Sequence, residues 1–473
     1  MKGPGMAGRR VVVVGGGFGG FHAAREFMKA VPREANVELI LINPTDYFLY
    51  VPLLPEVAAG ILDPRAITIS LPRTLPGVRL LLGQVTEIDP TGQSLTYADP
   101  EGHSGTLAFD QLILAAGSVH KLLPVPGVAD HGHGFRGLPE ALYLRDHITR
   151  QLELAAATDA PAERSARCTF VVVGAGYTGT EVAAHGQLLA DLLARRHPEL
   201  ADQPVRWILL EATDRVLPGL DRRLSRTADR VLRERGVEVC TETSIRESTQ
   251  NGVRLDDGRF VPTRSLVWCV GVRPDPLVAA TGLDTVDDRL AVDDFLAVPS
   301  HPWIFACGDA AAVPRHRSGG LAPMTAQHAV RQGKVAGRNV AAALGFGRAA
   351  RYRHRERGFV VDLGGRKAAA NPLHLPLSGL PAKAVTRGYH LLAMPTNRLR
   401  VAVDWLLDTV MRRQQVQLGL VRSGAVPLDT ASPEVPDLGV AYTGPESAGR
   451  AQPATPDTHQ ANAQERKARH GSE

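Results

Sequence analysis

Four cysteines are all the thiols the chain carries, and Cys168, Cys240, Cys269 and Cys307 stand too far apart to form a CxxC or CxxxxC pair. That spacing excludes the usual redox dithiol and zinc-ribbon patterns and suits a reducing cytoplasm. No apolar run approaches the roughly 18 residues a membrane-spanning helix requires, so any membrane contact is expected to be peripheral. No apolar leader precedes the first strand at about Val11, and no signal peptide is expected. Nucleic-acid motifs are lacking, and a net charge of +5 does not by itself argue for a nucleic-acid partner. His131, His133, His316 and His328 have no metal-like partner spacing, so they are read as surface or loop residues and no metal site is expected.

What is present is one signal written twice. "VVVVGGGFGGFHAAREF" begins at Val11 and "VVVGAGYTGTEVAAH" at Val171. Each is a valine strand, a glycine turn and a helix of small residues, the start of a βαβ unit. Gly15, Gly17 and Gly20 form the first GxGxxG; Gly174, Gly176 and Gly179 form the second. The first glycine permits the tight turn, the second lets a pyrophosphate reach the backbone, and the third lets helix pack on strand. The helix N-terminus then offers free N–H groups and a positive dipole end to the phosphates. Two copies imply two bound nucleotides.

The end of the second strand separates the two sites. Glu211 ends "VRWILLE", where a carboxylate favours the free 2′-OH of NADH over the 2′-phosphate of NADPH, with Arg215 close behind to soften that preference. The matching position in the first unit is Asn43, which can bond a ribose or serve as a turn residue before Pro44. Asp309 in "CGDAAAV" follows a glycine and precedes small residues, so it can approach a polyol closely; a turn aspartate is the alternative.

These stretches, with "DYFLYVPLLPEVAAG", "FDQLILAAGS", "WCVGVRP" and "TAQHAVRQG", come in an order that resembles the two-dinucleotide flavoproteins, and within them the type II NADH:quinone oxidoreductases, from about Arg9 to Leu418. The resemblance implies an α/β fold with two Rossmann-like domains, the NAD domain inserted in the FAD domain, and a C-terminal docking or dimer segment. It places the FAD domain at 9–165 and 285–350, the NADH domain at 166–284, the docking segment at 351–432 and a disordered tail at 433–473. FAD is implied on Gly15, Gly17, Phe18, Gly19, Gly20 and Asn43, with Pro52, Leu53, Ala116 and Gly117 about the flavin and Gly308 and Asp309 at the ribityl chain. NADH is implied on Gly174, Gly176, Thr178, Gly179 and Glu211, with Gly271 bordering the domain crossing. Glu181 would stand near nicotinamide and flavin as a proton carrier, or be a dipole-favoured helix glutamate. Gln327, Arg331 and Gln332 would line a quinone pocket, Arg331 standing where the family commonly has glutamine; an exposed helix face is the other reading.

Segment 351–432 holds 13 Lys and Arg against 5 Asp and Glu, a surplus of +8 that exceeds the +5 of the whole chain. In "RLRVAVDWLLDTVMRRQQVQL", Leu399, Val403, Leu406, Val410 and Met411 share one helical face, with Arg400, Asp404, Asp408 and Arg412 along another. Trp405, Arg398, Arg412 and Arg413 are residue types that anchor an interfacial helix, and "AKAVTRGYHLLAM" is a second candidate. Burial of these stripes against the core or a second subunit is equally compatible with the pattern. The expectation is a homodimeric enzyme, peripheral on the inner face of the cell membrane, that oxidises NADH through FAD and reduces a membrane quinone without pumping protons. A soluble FAD-dependent NAD(P)H reductase and a flavin-based NADH sensor are the alternatives.

Overall fold

The computed structural model describes residues 8–428 apart from 316–318, 355–357, 412, 414 and 415. The expected disordered tail at 433–473, together with His316 and Arg412, lies outside the described residues.

The first module opens with strand β1 (Arg9–Val14), helix α1 (Phe18–Ala30), β2 (Val37–Asn43), β3 (Arg79–Leu82) and β4 (Gln111–Leu114). The second contributes β5 (Gly132–His133), the long helix α2 (Leu138–Ala156), β6 (Thr169–Val173), α3 (Tyr177–Ala194), β7 (Arg206–Leu210), β8 (Val237–Cys240) and β9 (Ser265–Trp268). The chain then returns to the first module with β10 (Ala297–Val298), β11 (His301–Ala306) and α4 (Ala326–Ala343). Its sheet runs β10-β11-β4-β1-β2-β3, parallel except for β10; the second runs β5-β9-β6-β7-β8, all parallel. Because the first sheet takes strands from before and after the second, one Rossmann-like module is inserted in the other.

Continuous valines suit these positions, since a central parallel strand is covered on both faces and has no polar side. Val13 pairs with Leu41 and Ile113, and Val172 with Leu209 and Val267. The two crossings between modules pair with each other, Ser118–His120 antiparallel to Val272–Pro274. Helix α4 lies against α1 so closely that a Cβ on Gly333 would meet Gly19 O at 2.1 Å and one on Gly337 would meet Ala23 O at 2.2 Å. Only glycine permits that approach, and it sets where the N-terminus of α4 ends up.

The C-terminal segment forms a small antiparallel sheet, β12 (Val360–Asp362), β13 (Ala368–Ala370) and β14 (Leu377–Ser378), followed by α5 (Gly379–Ala393) and α6 (Arg398–Val410).

Candidate active site

Both glycine loops divide their glycines in the same way. Gly15 and Gly174 have φ of +93° and +96°, and a Cβ there would sit 2.3 Å from Ala115 O and 2.4 Å from Cys269 O. A Cβ on Gly20 or Gly179 would lie 1.8 Å from the carbonyl oxygen of Gly15 or Gly174. Around Gly17 and Gly176 nothing stands within 4 Å. Two glycines of each loop are thus required by the protein's own backbone, and the middle one is required only by what approaches from outside. Gly17 and Gly176 are also the N-caps of α1 and α3, without side-chain caps, so the first N–H groups of each helix are left for a ligand.

The second strands brace these loops identically. Asn43 Oδ1 accepts from Gly16 N–H at 2.6 Å, and Glu211 Oε2 accepts from Ala175 N–H at 2.8 Å. The rest of Asn43 is spent on Thr45, and Glu211 Oε1 accepts from the N–H and hydroxyl of Thr213, each at 2.9 Å. Arg215 turns to Pro218 O at 2.6 Å.

The loops open on one cavity of about 1440 Å³. Gly15, Gly17, Phe18, Gly19 and Asn43 line its first end, with Pro52, Ala116 and Gly117 beside them. Gly308 and Asp309 follow, and Asp309 Oδ2 accepts from Ser118 Oγ at 2.7 Å. Burial pushes the Asp309 carboxyl up from its ordinary value. Gly176, Thr178, Glu181 and Gly271 come from the second module. Gly20, Gly174, Gly179 and Glu211 stand behind the lining as supports.

Thr325 and Ala326, at the start of α4, reach the wall together with Gln327 and Arg331, whose guanidinium donates to His354 Nδ1 at 2.7 Å. Gln332 does not join them. It is 2% exposed and its Oε1 accepts from Gly308 N–H at 2.8 Å, so it shapes the Asp309 turn instead of lining an acceptor pocket. Leu53 likewise turns into the core, leaving Pro52 and Leu54 at the cavity.

Glu181 sits just past the first turn of α3, and its Oε1 accepts from Asp362 N–H at 2.8 Å. Burial raises its carboxyl well above the ordinary value, and the Asp362 and Glu56 charges add to this. Behind it lies a group that sequence reasoning missed. Lys383 Nζ on α5 donates to Asp362 Oδ2 and stands 3.6 Å from Glu56 Oε1, while Trp405 Nε1 on α6 donates to Glu56 Oε2. His185 Nε2 is 3.6 Å from Asp362 Oδ1.

Burial, then the charge of Asp362, pushes Glu56 up to about 7. For Asp362 burial acts upward too, but His185 and Lys383 outweigh it and hold the carboxyl well below its ordinary range. Since burial also holds His185 down in its neutral form, Lys383 is the lasting charge partner. Glu56, His185 and Asp362 are close enough to share a metal ion, yet the Lys383 ammonium already supplies a cation there. The cue in the sequence was a lone charge inside an apolar stretch: Glu56 in "PLLPEVAAG", Asp362 in "FVVDLGG", Lys383 in "AKAV".

Two further expectations are corrected. Trp405 is a buried strut, held by Glu56 and covered by the Arg387 guanidinium 4.8 Å from its ring, so it is no interfacial anchor. His328 is buried against the His354 ring with centroids 3.9 Å apart, and His133 packs on Tyr143, so neither is a surface histidine. Cys269 and Cys307 line the cavity, each against a glycine-loop helix. Burial pushes the Cys307 thiol up to about 12 and also raises that of Cys269, which favours the neutral form of both.

Residues 9–333 match the Pyridine nucleotide-disulphide oxidoreductase family. The chain is 36% identical over 319 residues to the type II NADH:quinone oxidoreductase NdhA of Mycobacterium tuberculosis, covering 64% of this chain and 67% of that one. With the demethylphylloquinone reductase NdbB of Synechocystis it shares 31% over 406 residues, 84% of this chain and 95% of that one. The chain belongs to the type II NADH:quinone oxidoreductases. The structure of NDH2 from Plasmodium falciparum in complex with NADH has the same fold, at a TM-score of 0.78 and 15% identity, covering 86% of this chain and 99% of that one. FAD and NADH are the cofactors of this type II oxidoreductase, and two open middle glycines on a shared cavity are what two dinucleotides require.

Proposed function

We propose that the protein oxidises NADH and delivers the two electrons to a membrane quinone, without pumping protons. One observation carries the reading. The cavity that receives both glycine loops continues past Glu181, Gln327 and Arg331 to Val385, Tyr389 and Leu392 on α5, at the foot of an exposed apolar surface.

FAD, when bound, supplies a two-electron relay between a nicotinamide and an acceptor. The chain's residues do the rest. The N–H groups at the starts of α1 and α3 take the pyrophosphates, and Asp309 accepts from a polyol hydroxyl. The start of α4 brings its free N–H groups and positive end to the cavity, favouring negative charge there. Glu181, whose carboxyl burial raises well above its ordinary value, is placed to hold a proton at the wall for the acceptor. The neutral thiols of Cys269 and Cys307 support direct electron delivery over a disulfide route.

Membrane contact belongs to the same proposal. Leu392, Leu399 and Val410 are 76, 78 and 68% exposed, Val403 and Leu406 share the outward face of α6, and Met411 is exposed just past its end. Such a face on a soluble monomer calls for a cover, and a bilayer holding an apolar acceptor is the cover that serves the reaction. No helix among the described residues is long and apolar enough to cross a membrane. Docking on the inner face of the cell membrane, and a homodimer through the C-terminal segment, complete the reading, as do module boundaries at 165, 284 and 350.

The test is steady-state NADH oxidation by purified holoprotein with ubiquinone, menaquinone and ferricyanide, beside a chain lacking 380–420. Quinone turnover in membranes that vanishes with the deletion is expected. Turnover on ferricyanide alone, indifferent to quinone and membrane, would transfer the protein to the soluble reductases.

A further inference from the structure

A second concavity, of about 380 Å³, lies where the C-terminal helix α6 meets the first module. Its lining is almost all hydrogen-bond donors: Arg65, Arg73 and Arg400, with Thr68, Ser70 and Thr396 between them. Asp46 is its one acidic residue. Arg65 is partly neutralised by Asp63, at 3.0 and 3.2 Å. Arg73 and Arg400 have no ion pair or side-chain hydrogen bond among the described residues, although Asp404 and Asp63 lie within electrostatic reach of Arg400.

The walls are fixed to each other. Asn397, with φ of +62°, donates through Nδ2 to Thr68 O at 2.9 Å and Arg65 O at 3.3 Å, and Asp404 Oδ2 accepts from Asp63 N–H at 3.1 Å. The two staples fix the backbone of the seam, so that the exposed side chains of Arg65, Arg73 and Arg400 are carried around one concavity without a ligand to gather them. Guanidinium forks with flanking hydroxyls match the oxygens of a phosphate ester.

Position narrows the ligand. Arg400 follows Leu399 directly on α6, and Leu399 and Val403 are exposed. When those side chains enter the acyl region, the concavity sits at the depth of the lipid phosphates. We infer that Arg73, Arg400 and the Thr68–Thr396 seam form a binding site for the phosphate headgroup of one anionic phospholipid. The inference rests on the membrane docking proposed above. Its value to the enzyme is orientation, since a seated headgroup fixes how α5 and the cavity mouth meet the bilayer.

The experiment is co-sedimentation of the full-length holoprotein with vesicles of phosphatidylcholine alone or mixed with phosphatidylglycerol. Arg73→Gln with Arg400→Gln is expected to weaken binding to mixed vesicles about 30-fold, two charges at about 1 kcal/mol each, and to leave phosphatidylcholine binding unchanged. Diffuse attraction would give the same result, so the decisive variant is Thr396→Trp, which fills the concavity at constant charge; about a tenfold loss on mixed vesicles only is expected. Unchanged binding by Thr396→Trp overturns the site. Ferricyanide turnover reports that each variant is folded, and Thr396→Leu, smaller and also of constant charge, stands in if the tryptophan does not fold. Saturable binding of glycerol phosphate in solution, with no phosphatidylglycerol dependence, reassigns the concavity to a soluble ester and also overturns the proposal. If wild type binds neither vesicle and Leu399→Ser with Leu406→Ser changes nothing, it is the docking reading that fails.

Discussion

Lys383→Met tests the buried ionic group most directly. In the native chain the Lys383 ammonium is the lasting counter-charge of Asp362, and both side chains are about nine-tenths or more withdrawn from water. Methionine keeps most of the volume and removes the charge, leaving Asp362 to be desolvated alone. Breaking a buried pair by deleting one partner costs about 3–5 kcal/mol, a large share of a stability of about 5–15 kcal/mol. The loss depends on pH with a definite sign. In wild type the depressed Asp362 carboxyl contributes stability above its unfolded value, lost as pH falls through the folded one. In the variant the native carboxyl lies above its unfolded value, so the deficit grows as pH rises from about 4 and fades below it. Urea unfolding followed by flavin fluorescence and far-UV circular dichroism, at about pH 5 and about pH 8, measures the difference. Adding Asp362→Asn removes the stranded charge and should recover most of the loss at the higher pH. A deficit under about 1 kcal/mol at about pH 8, or one that is the same at both pH values, refutes the reasoning.

Gly20→Ala and Gly179→Ala drive a Cβ into a carbonyl oxygen and should destabilise the apoprotein by about 1–3 kcal/mol, whereas Gly17→Ala and Gly176→Ala should leave its melting point alone and weaken FAD and NADH binding respectively. Thermal melts with and without cofactor separate the two classes. Trp405→Phe deprives buried Glu56 of a donor, and a loss of about 1–3 kcal/mol in urea titration is expected. Glu56 has a folded value near 7, above its unfolded one, so the unfolded chain ionises first and wild-type stability falls as pH rises toward that value; Glu56→Gln should flatten this part of the profile. NADPH should be a poorer donor than NADH, and Glu211→Gln should narrow the ratio of kcat/KM values while loosening the Ala175 turn.

Much of this protein was settled by residues near one another in the chain. Valine runs, GxGxxG loops and strand-end Asn43 and Glu211 fix two nucleotide cradles, because Gly20 and Gly179 are constrained by a carbonyl five residues back and Gly15 and Gly174 by the positive φ of their own turn. The stripe of Leu399, Val403, Leu406 and Val410 could be read from helical periodicity, but not which way it faced; packing turned Val401 and Trp405 inward and left the stripe out. The resemblance puts Gln332 and Leu53 at the cavity, but a rotation about one helix or turn sends each to the other side. Glu56, Glu181, Asp362 and Lys383 come from four stretches of chain, and only tertiary structure brings them within reach of one another. Their charge states follow from that meeting, since desolvation and Coulomb interaction depend on distance through space and not along the chain.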